Sequence, residues 1–322
     1  MRAGIDLGGT KIQAVVVDDG DSVVGQARRS TPTHGGPEDV VEAIAAALEE
    51  AANAADVAPD ALTGIGVGSP GHVDAGTGTV ASARNLPNWI EPFPLGERLA
   101  NRFGMPVRVG NDVGTAVEAE AVLGAGRPFR SFLGLWWGTG VGGGIIVDRH
   151  RWLGRGAAGE IGHMVIKLGG AKCTCGRRGC VEAYAGRAAM ERRAERDQKR
   201  GTKTRLFELM KEHNHNHLTS SVWQHALDEH DGLAERMIER AIQALGAGAA
   251  SAVNLTDVEA VVIGGGLGMR LGESGVARIR EAMLPHLFVD ERPPELRLSE
   301  LGDLGGAIAA ARLAPGSPTP AR

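Results

Sequence analysis

The sequence predicts an α/β fold with two domains, and three observations carry that expectation. Apolar strand-like runs alternate with helical, alanine-rich stretches along the chain. A pattern of strand, glycine-threonine turn and strand occurs at residues 3–17 and again at 131–147, which argues for two related halves facing a cleft. The chain has 322 residues, 43% of them hydrophobic and 23% charged, enough for two cores.

The elements follow in order. Residues 3–6 and 12–17 are apolar runs on either side of the turn DLGGTK, read as two strands. Residues 40–55 have helical periodicity, and 63–67 return to strand character before the turn at Ser69, Pro70 and Gly71. Further strands are expected at 107–109, 131–136 and 144–147, and further helices at 113–123, 186–198, 233–253, 277–284 and 305–312. Residues 1–112 are expected to form a small N-terminal α/β domain, and 113–304 a larger one containing the cysteine segment. The helix at about 305–314 is expected to pack back on the first domain. Residues 315–322 are proline-rich and small, and read as a flexible tail.

Composition excludes some classes of function. A net charge of -4 provides no general basic field for nucleic acid. No signal segment opens the chain and no apolar run is long enough to span a bilayer, so no membrane partner is expected. Three clustered cysteines suit a reducing compartment, so the protein is expected to be cytoplasmic.

Every cysteine lies between 173 and 180. Together with His163, residues Cys173, Cys175 and Cys180 supply one imidazole and three thiolates, the donor set of a closed structural Zn2+ site. Gly169, Gly170, Gly176 and Gly179 allow the loop to bend back on the ion. A buried structural thiol is the plain alternative for one cysteine, but it does not account for the clustering.

Two turns have the chemistry of phosphate loops. A phosphate needs inward backbone N–H groups, hydroxyl donors and no obstructing side chains. Gly8, Gly9 and Thr10 meet this need, as do Gly138, Thr139, Gly140 and Gly142. Asp6, at a strand end beside the first loop, could hold a magnesium ion through water. Neither loop matches the Walker pattern or the dinucleotide fingerprint.

With these pieces in place, the chain resembles the ROK family of bacterial sugar kinases and repressors. The resemblance rests on DLGGTK from Asp6, GVGSPGHVD at 66–74, NLPNW at 85–89, the Asn111-Asp112 pair, GTGVGGG at 138–144, EIGH at 160–163 and CTCGRRGCVE at 173–182. It implies the actin-like, sugar-kinase ATPase (ribonuclease H-like) fold, with two α/β domains around a cleft. It also implies Mg-ATP as donor and a hexose as acceptor. Asp112 would be the general base, taking a proton from the sugar hydroxyl as that oxygen attacks the γ-phosphorus. For a lone Asp the structural alternative is a helix N-cap, and Asp112 precedes the expected helix at 113–123.

The resemblance further places Ser69, Asn85, Asn111, Glu160, His163 and Glu182 at the sugar. Thr10 and Thr139 would donate to the nucleotide phosphates. Gly264, Gly265 and Gly266, after the strand at 261–263, would form the turn against which adenosine lies. Zinc would shape the sugar loop rather than activate water, because four protein ligands leave no open position. Two departures stand out: Asn254 is followed by Leu255 where the family usually has proline, and Val113-Gly114 replaces Ala-Asn after the Asn-Asp pair.

Other features read as structural. The run His213, Asn214, His215, Asn216, His217 is expected to be a solvated loop, Trp136 and Trp137 core and interdomain packing rather than a stacking platform, and the basic stretch 187–205 an exposed helix face. Lys11 fits either phosphate neutralisation or an exposed strand.

The expected activity is phosphorylation of a hexose at its 6-hydroxyl, glucose before N-acetylglucosamine, N-acetylmannosamine, mannose or fructose. A sugar-responsive repressor needs a DNA-reading helix-turn-helix before the first phosphate loop, and that loop here begins at Asp6. A polyphosphate-using kinase is disfavoured by the cysteine loop. The resemblance also implies a homodimer or homotetramer.

Overall fold

The computed structural model describes residues 1–83 and 85–317. It divides into two compact units: Met1–Gly124 with Leu301–Arg322, and Ala125–Glu300. The helix after Asp112 therefore belongs to the first unit, beyond the boundary expected from the sequence.

The first unit opens with strands β1 (Arg2–Leu7), β2 (Lys11–Val17) and β3 (Val23–Ser30), then helix α1 (Pro37–Ala54). Strand β4 (Ile65–Ser69), the small hairpin β5 (His72–Asp74) and β6 (Thr79–Ala81), helix α2 (Leu95–Phe103), strand β7 (Val107–Asn111) and helix α3 (Asp112–Leu123) follow. The sheet order is β3-β2-β1-β4-β7, with β1 antiparallel to β2 and parallel to β4. Strands β1 and β4 are almost wholly buried, as expected for strands covered on both faces. Strand β3 and helix α2 have no counterpart in the sequence reading. In β3 much of the strand is exposed and the apolar signal is correspondingly weak.

The second unit runs β8 (Phe132–Trp137), β9 (Val141–Val147), β10 (His150–Arg151), α4 (Glu182–Ala185), α5 (Arg187–Lys199), α6 (Leu206–Glu212), α7 (Ser220–Asp228), α8 (Gly232–Thr256), β11 (Ala260–Gly264), α9 (Gly265–Met283) and β12 (Glu295–Leu298). Its sheet order is β10-β9-β8-β11-β12, with β8 antiparallel to β9 and parallel to β11. Each five-stranded sheet thus has the same plan. The long helix α8 is capped by Asp231, whose carboxylate accepts from the Leu233 and Ala234 amides at 3.0 and 2.9 Å. Helix α9 begins well before the expected position 277 and is interrupted at Gly272, where φ is 59°.

The chain then returns to the first unit as α10 (Gly305–Leu313). A Cβ at Gly4 or Gly66 would collide with the backbone of Ala307, Ala310 or Ala311, so bare strand backbone is what lets this helix lie directly on β1 and β4. A buried ion network fastens it. Asp21 bridges Arg2 at 2.9 Å and also pairs with Arg312. The expected tail meets the structure only in part. Ser317 donates through its hydroxyl to the carbonyls of Ala311 and Ala314, and residues 318–322 lie outside the described residues. No helix among the described residues is long and apolar enough to cross a membrane.

Candidate active site and metal centre

In the first unit the turn between β1 and β2 is closed by the Gly8 amide donating to the Lys11 carbonyl at 2.9 Å. The Thr31 hydroxyl braces it, donating to the Gly8 carbonyl at 2.6 Å. Thr10 is exposed at the tip. Asn85 lies against this turn, because a Cβ on Gly9 would stand 2.9 Å from the Asn85 carbonyl oxygen. Asp6, at the end of β1, is pushed up to about 6, first by burial and then by the charge of Asp112, with Lys11 opposing. It lies against the N-terminus of α10, where a Cβ on Gly306 would stand 2.7 Å from its carboxyl carbon. Lys11 pairs with Asp303 at 2.5 Å, so its ammonium is bound to a carboxylate.

Asn111 and Asp112 occupy the junction of β7 and α3. The N-cap of α3 is Asn111, not Asp112: the Asn111 Oδ1 accepts from the Gly114 amide at 2.9 Å. Asp112 is the first helical residue, and its Oδ1 accepts from the Val113 amide at 2.8 Å and from Asn111 Nδ2 at 3.2 Å. These bonds fix the carboxylate's direction. Ser69 pairs in register with Asn111 across β4 and β7. It is fully buried, and its hydroxyl donates to the Pro70 carbonyl at 3.1 Å.

In the second unit the turn Gly138–Gly140 joins β8 to β9, with the Gly138 amide donating to the Gly140 carbonyl at 3.0 Å. The start of α5 grips it. The Arg187 and Ala188 amides donate to the carbonyls of Gly138 and Thr139 at 3.1 and 3.0 Å, and the Arg187 Nη2 donates to Thr139 Oγ1 at 2.8 Å. Arg187 therefore does not belong to the exposed helix face expected for 187–205. Its charge sign and spacing match the other arginines of the stretch, and only its docking on the glycine turn distinguishes it.

The run Gly264, Gly265, Gly266 ends β11 and starts α9. Cβ atoms at Gly264 and Gly265 would stand 2.7 Å from the Trp136 ring and the Trp137 backbone, so two of these glycines are required by packing inside the protein. Gly266 adjoins the turn: a Cβ on Gly138 would lie 3.8 Å from its amide nitrogen. Trp137 is fully buried and donates to the Ala185 carbonyl at 2.7 Å, a core role.

The cysteine loop is a tight knuckle. The Cys173 amide donates to the Arg177 carbonyl at 2.9 Å, and the Gly176 amide to the Cys173 carbonyl at 3.1 Å. The donor atoms of His163, Cys173, Cys175 and Cys180 all lie within 4.8 Å of one another. Cys173 Sγ is 3.9 Å from His163 Nδ1, and Cys175 Sγ is 3.7 Å from Cys180 Sγ. Ligands about 2.3 Å from a tetrahedral zinc stand about 3.8 Å apart, so the residues fit that ion. Burial, together with the neighbouring Cys175 sulfur, pushes the Cys180 thiol up to about 12.

Glu182, at the start of α4, joins this knuckle to the glycine turn. One carboxylate oxygen accepts from the Val141 amide at 3.0 Å, and the other from the Thr174 hydroxyl at 3.2 Å. Glu160 is exposed immediately before the short turn Ile161–His163 that presents the histidine. The run 213–217 lies outside the metal cluster. His213 packs its ring on His225 at 4.6 Å, and His217 meets Glu191 at 3.3 Å.

Two glycine turns on twin sheets, an Asn-Asp pair at a strand-helix junction and a Cys3His knuckle together define the class of actin-like sugar-kinase folds. The ROK family profile matches residues 2–317, and the chain belongs to the ROK family. It is 32% identical to a glucokinase of Thermotoga maritima over 88% of this chain and 87% of that one. It is 31% identical to an N-acetylgalactosamine kinase of Shewanella sp., over 98% and 97% of the two chains. The crystal structure of a ROK family glucokinase from Streptomyces griseus in complex with glucose and AMPPNP superposes with a TM-score of 0.82 at 32% identity, covering 97% of this chain and 98% of that chain.

Proposed function

We propose that this protein transfers the γ-phosphoryl group of ATP to the 6-hydroxyl of a hexose, with glucose as the acceptor and Asp112 as the general base. Hexose kinase activity is supported by the glucokinase relatives and by the neighbour that holds glucose with an ATP analogue. The observation that carries the proposal is the Asn111-Asp112 pair, whose carboxylate is aimed by two donors and shares its surroundings with Asp6 of the first glycine turn.

The roles follow from the chemistry of each group. Thr10 and the amides of Gly8 and Gly9 would bind phosphate on the first unit, and Thr139 with Gly138 and Gly140 on the second. Gly266 would border the adenosine, with Gly264 and Gly265 supporting it from the strand end. Asp112 would withdraw the hydroxyl proton as the oxygen attacks, a modest demand because phosphoryl transfer depends mainly on positioning and charge. Asn85, Asn111, Glu160, His163 and Glu182 would bind sugar hydroxyls, whereas Ser69, fully buried, would set the positions of its neighbours.

Asp6 suits a magnesium ion that accompanies ATP. A carboxylate pushed up by burial and by a second carboxylate gains from a divalent cation, and the bound ion would neutralise phosphate charge. His163, Cys173, Cys175 and Cys180 would hold a structural zinc that keeps the knuckle and Glu182 in shape. Three free cysteines clustered at metal-ligand spacing support a cytoplasmic location. A dimer or tetramer completes the reading on the family resemblance alone.

A coupled ADP-release assay across a hexose panel tests it. Turnover with glucose and ATP is expected. Turnover confined to an N-acetylhexosamine would remove glucose and keep the kinase, and no ATP-dependent turnover on any hexose would remove both.

A further inference from the structure

A pocket of about 300 Å³ lies in the second unit, walled by the knuckle, α4, α5 and α8. Five cations line it: Lys172, Arg192, Arg193, Arg196 and Arg240. No Asp or Glu does. Arg193 meets Asp197 at 3.5 Å. Among the described residues, no carboxylate lies within 4.0 Å of the charged nitrogens of the other four. Arg240 instead rests over the Tyr184 ring, 4.7 Å from its centroid.

This arrangement is unusual for a chain whose net charge is -4. Solvated arginines on a helix face normally find acidic partners at the next turn, as Arg193 does. Crowding the others around one concavity raises the local potential and creates an electrostatic cost that an anion would offset. Guanidinium groups offer paired N–H donors suited to phosphate oxygens. The floor has a different character, formed by Ala183, Ala189, Met190 and Met237, with Tyr184 beside them. Met190, Met237 and Tyr184 are buried. A cationic rim over an apolar floor fits an anion with an organic body better than a bare ion.

The wall is ordered. The Tyr184 hydroxyl accepts from the Ala171 amide at 2.9 Å, holding α4 to the knuckle at the pocket's edge.

We propose that this pocket is a second, non-catalytic binding site for a phosphate monoester with an organic body. The test is isothermal titration of the full chain with phenyl phosphate, and separately with inorganic phosphate, with glucose and AMPPNP present in excess. Phenyl phosphate should bind wild-type protein more tightly than inorganic phosphate does. Its affinity should fall at least tenfold in the Arg192→Ser/Arg196→Ser double variant and stay unchanged in Lys199→Ser, which lies outside the pocket. Arg196→Glu alone should weaken binding as well, a check should the double variant melt early. Without the probe, kinase activity of these variants should equal wild type, which separates failure here from failure of the kinase reading. No phenyl phosphate binding, or binding unaffected by the arginine changes, would overturn the proposal. Equal affinity for the two probes would overturn the organic body.

Discussion

The Arg187 guanidinium donates to the Thr139 hydroxyl at 2.8 Å, tying the first residue of α5 to the tip of the glycine turn between β8 and β9. With its proton acceptor role toward Arg187 satisfied, the Thr139 hydroxyl can direct its own hydrogen to a phosphate oxygen. Arg187→Leu should raise the KM for ATP about tenfold or more, with the hexose KM little changed. Initial-rate measurements varying each substrate in turn check this. An unchanged nucleotide KM would count against the role.

Asp112 is positioned by the Val113 amide and the Asn111 side chain. Asp112→Asn keeps the shape and removes the proposed base, so kcat should fall by about 10²–10⁴-fold while sugar affinity persists. Steady-state rates paired with sugar binding by calorimetry measure both. Wild-type turnover in the variant would eliminate Asp112 as base.

Purified protein should contain one zinc per chain by elemental analysis. Cys175→Ser should abolish it and lower the melting temperature, since metal binding to such a knuckle is also folding energy. A zinc-free wild-type protein with a fully stable knuckle would defeat the assignment.

Asp6 makes stability depend on pH in a defined direction. Its pKa rises from the ordinary 3.8 to about 6 in the fold, so the folded protein retains a proton that the unfolded chain releases between those values. Stability from this residue is full below about 4 and lost as pH climbs through 6, at most about 3 kcal/mol from a shift of this size. In urea unfolding without nucleotide or magnesium, Asp6→Asn should be more stable than wild type at pH 8. That advantage should shrink at pH 4.5, and a constant difference across pH would contradict it.

Asp21 is the shared partner of Arg2 and Arg312, which are 2% and 13% exposed. Asp21→Ala strands two buried guanidiniums and loosens α10, with an expected loss of about 3–5 kcal/mol. Chemical denaturation gives the number, and a loss within experimental error would show that the network contributes little.

Glycine turns, apolar strand runs and the Cys3His spacing are legible residue by residue because each is a local requirement. A phosphate loop needs bare backbone, and a metal needs four donors within a few residues' reach. That is why both glycine turns, the Asn-Asp pair and the knuckle could be named in advance. Strand β3 and helix α2 carry a weaker signal because their apolar faces are narrow, and Gly272 breaks the periodicity near the start of α9.

The sequence alone therefore determined the inventory: which turns can bind phosphate, which residues can ligate a metal, and the family to which the chain belongs. How those groups are employed depends on contacts between distant segments. The tertiary structure made Asn111 the cap of α3, joined the glycine turn to the knuckle through Glu182, and singled out Arg187 from a run of similar arginines. The physical reason is that a side chain's type is local, whereas its hydrogen-bonding partner is chosen by packing between segments far apart in the chain.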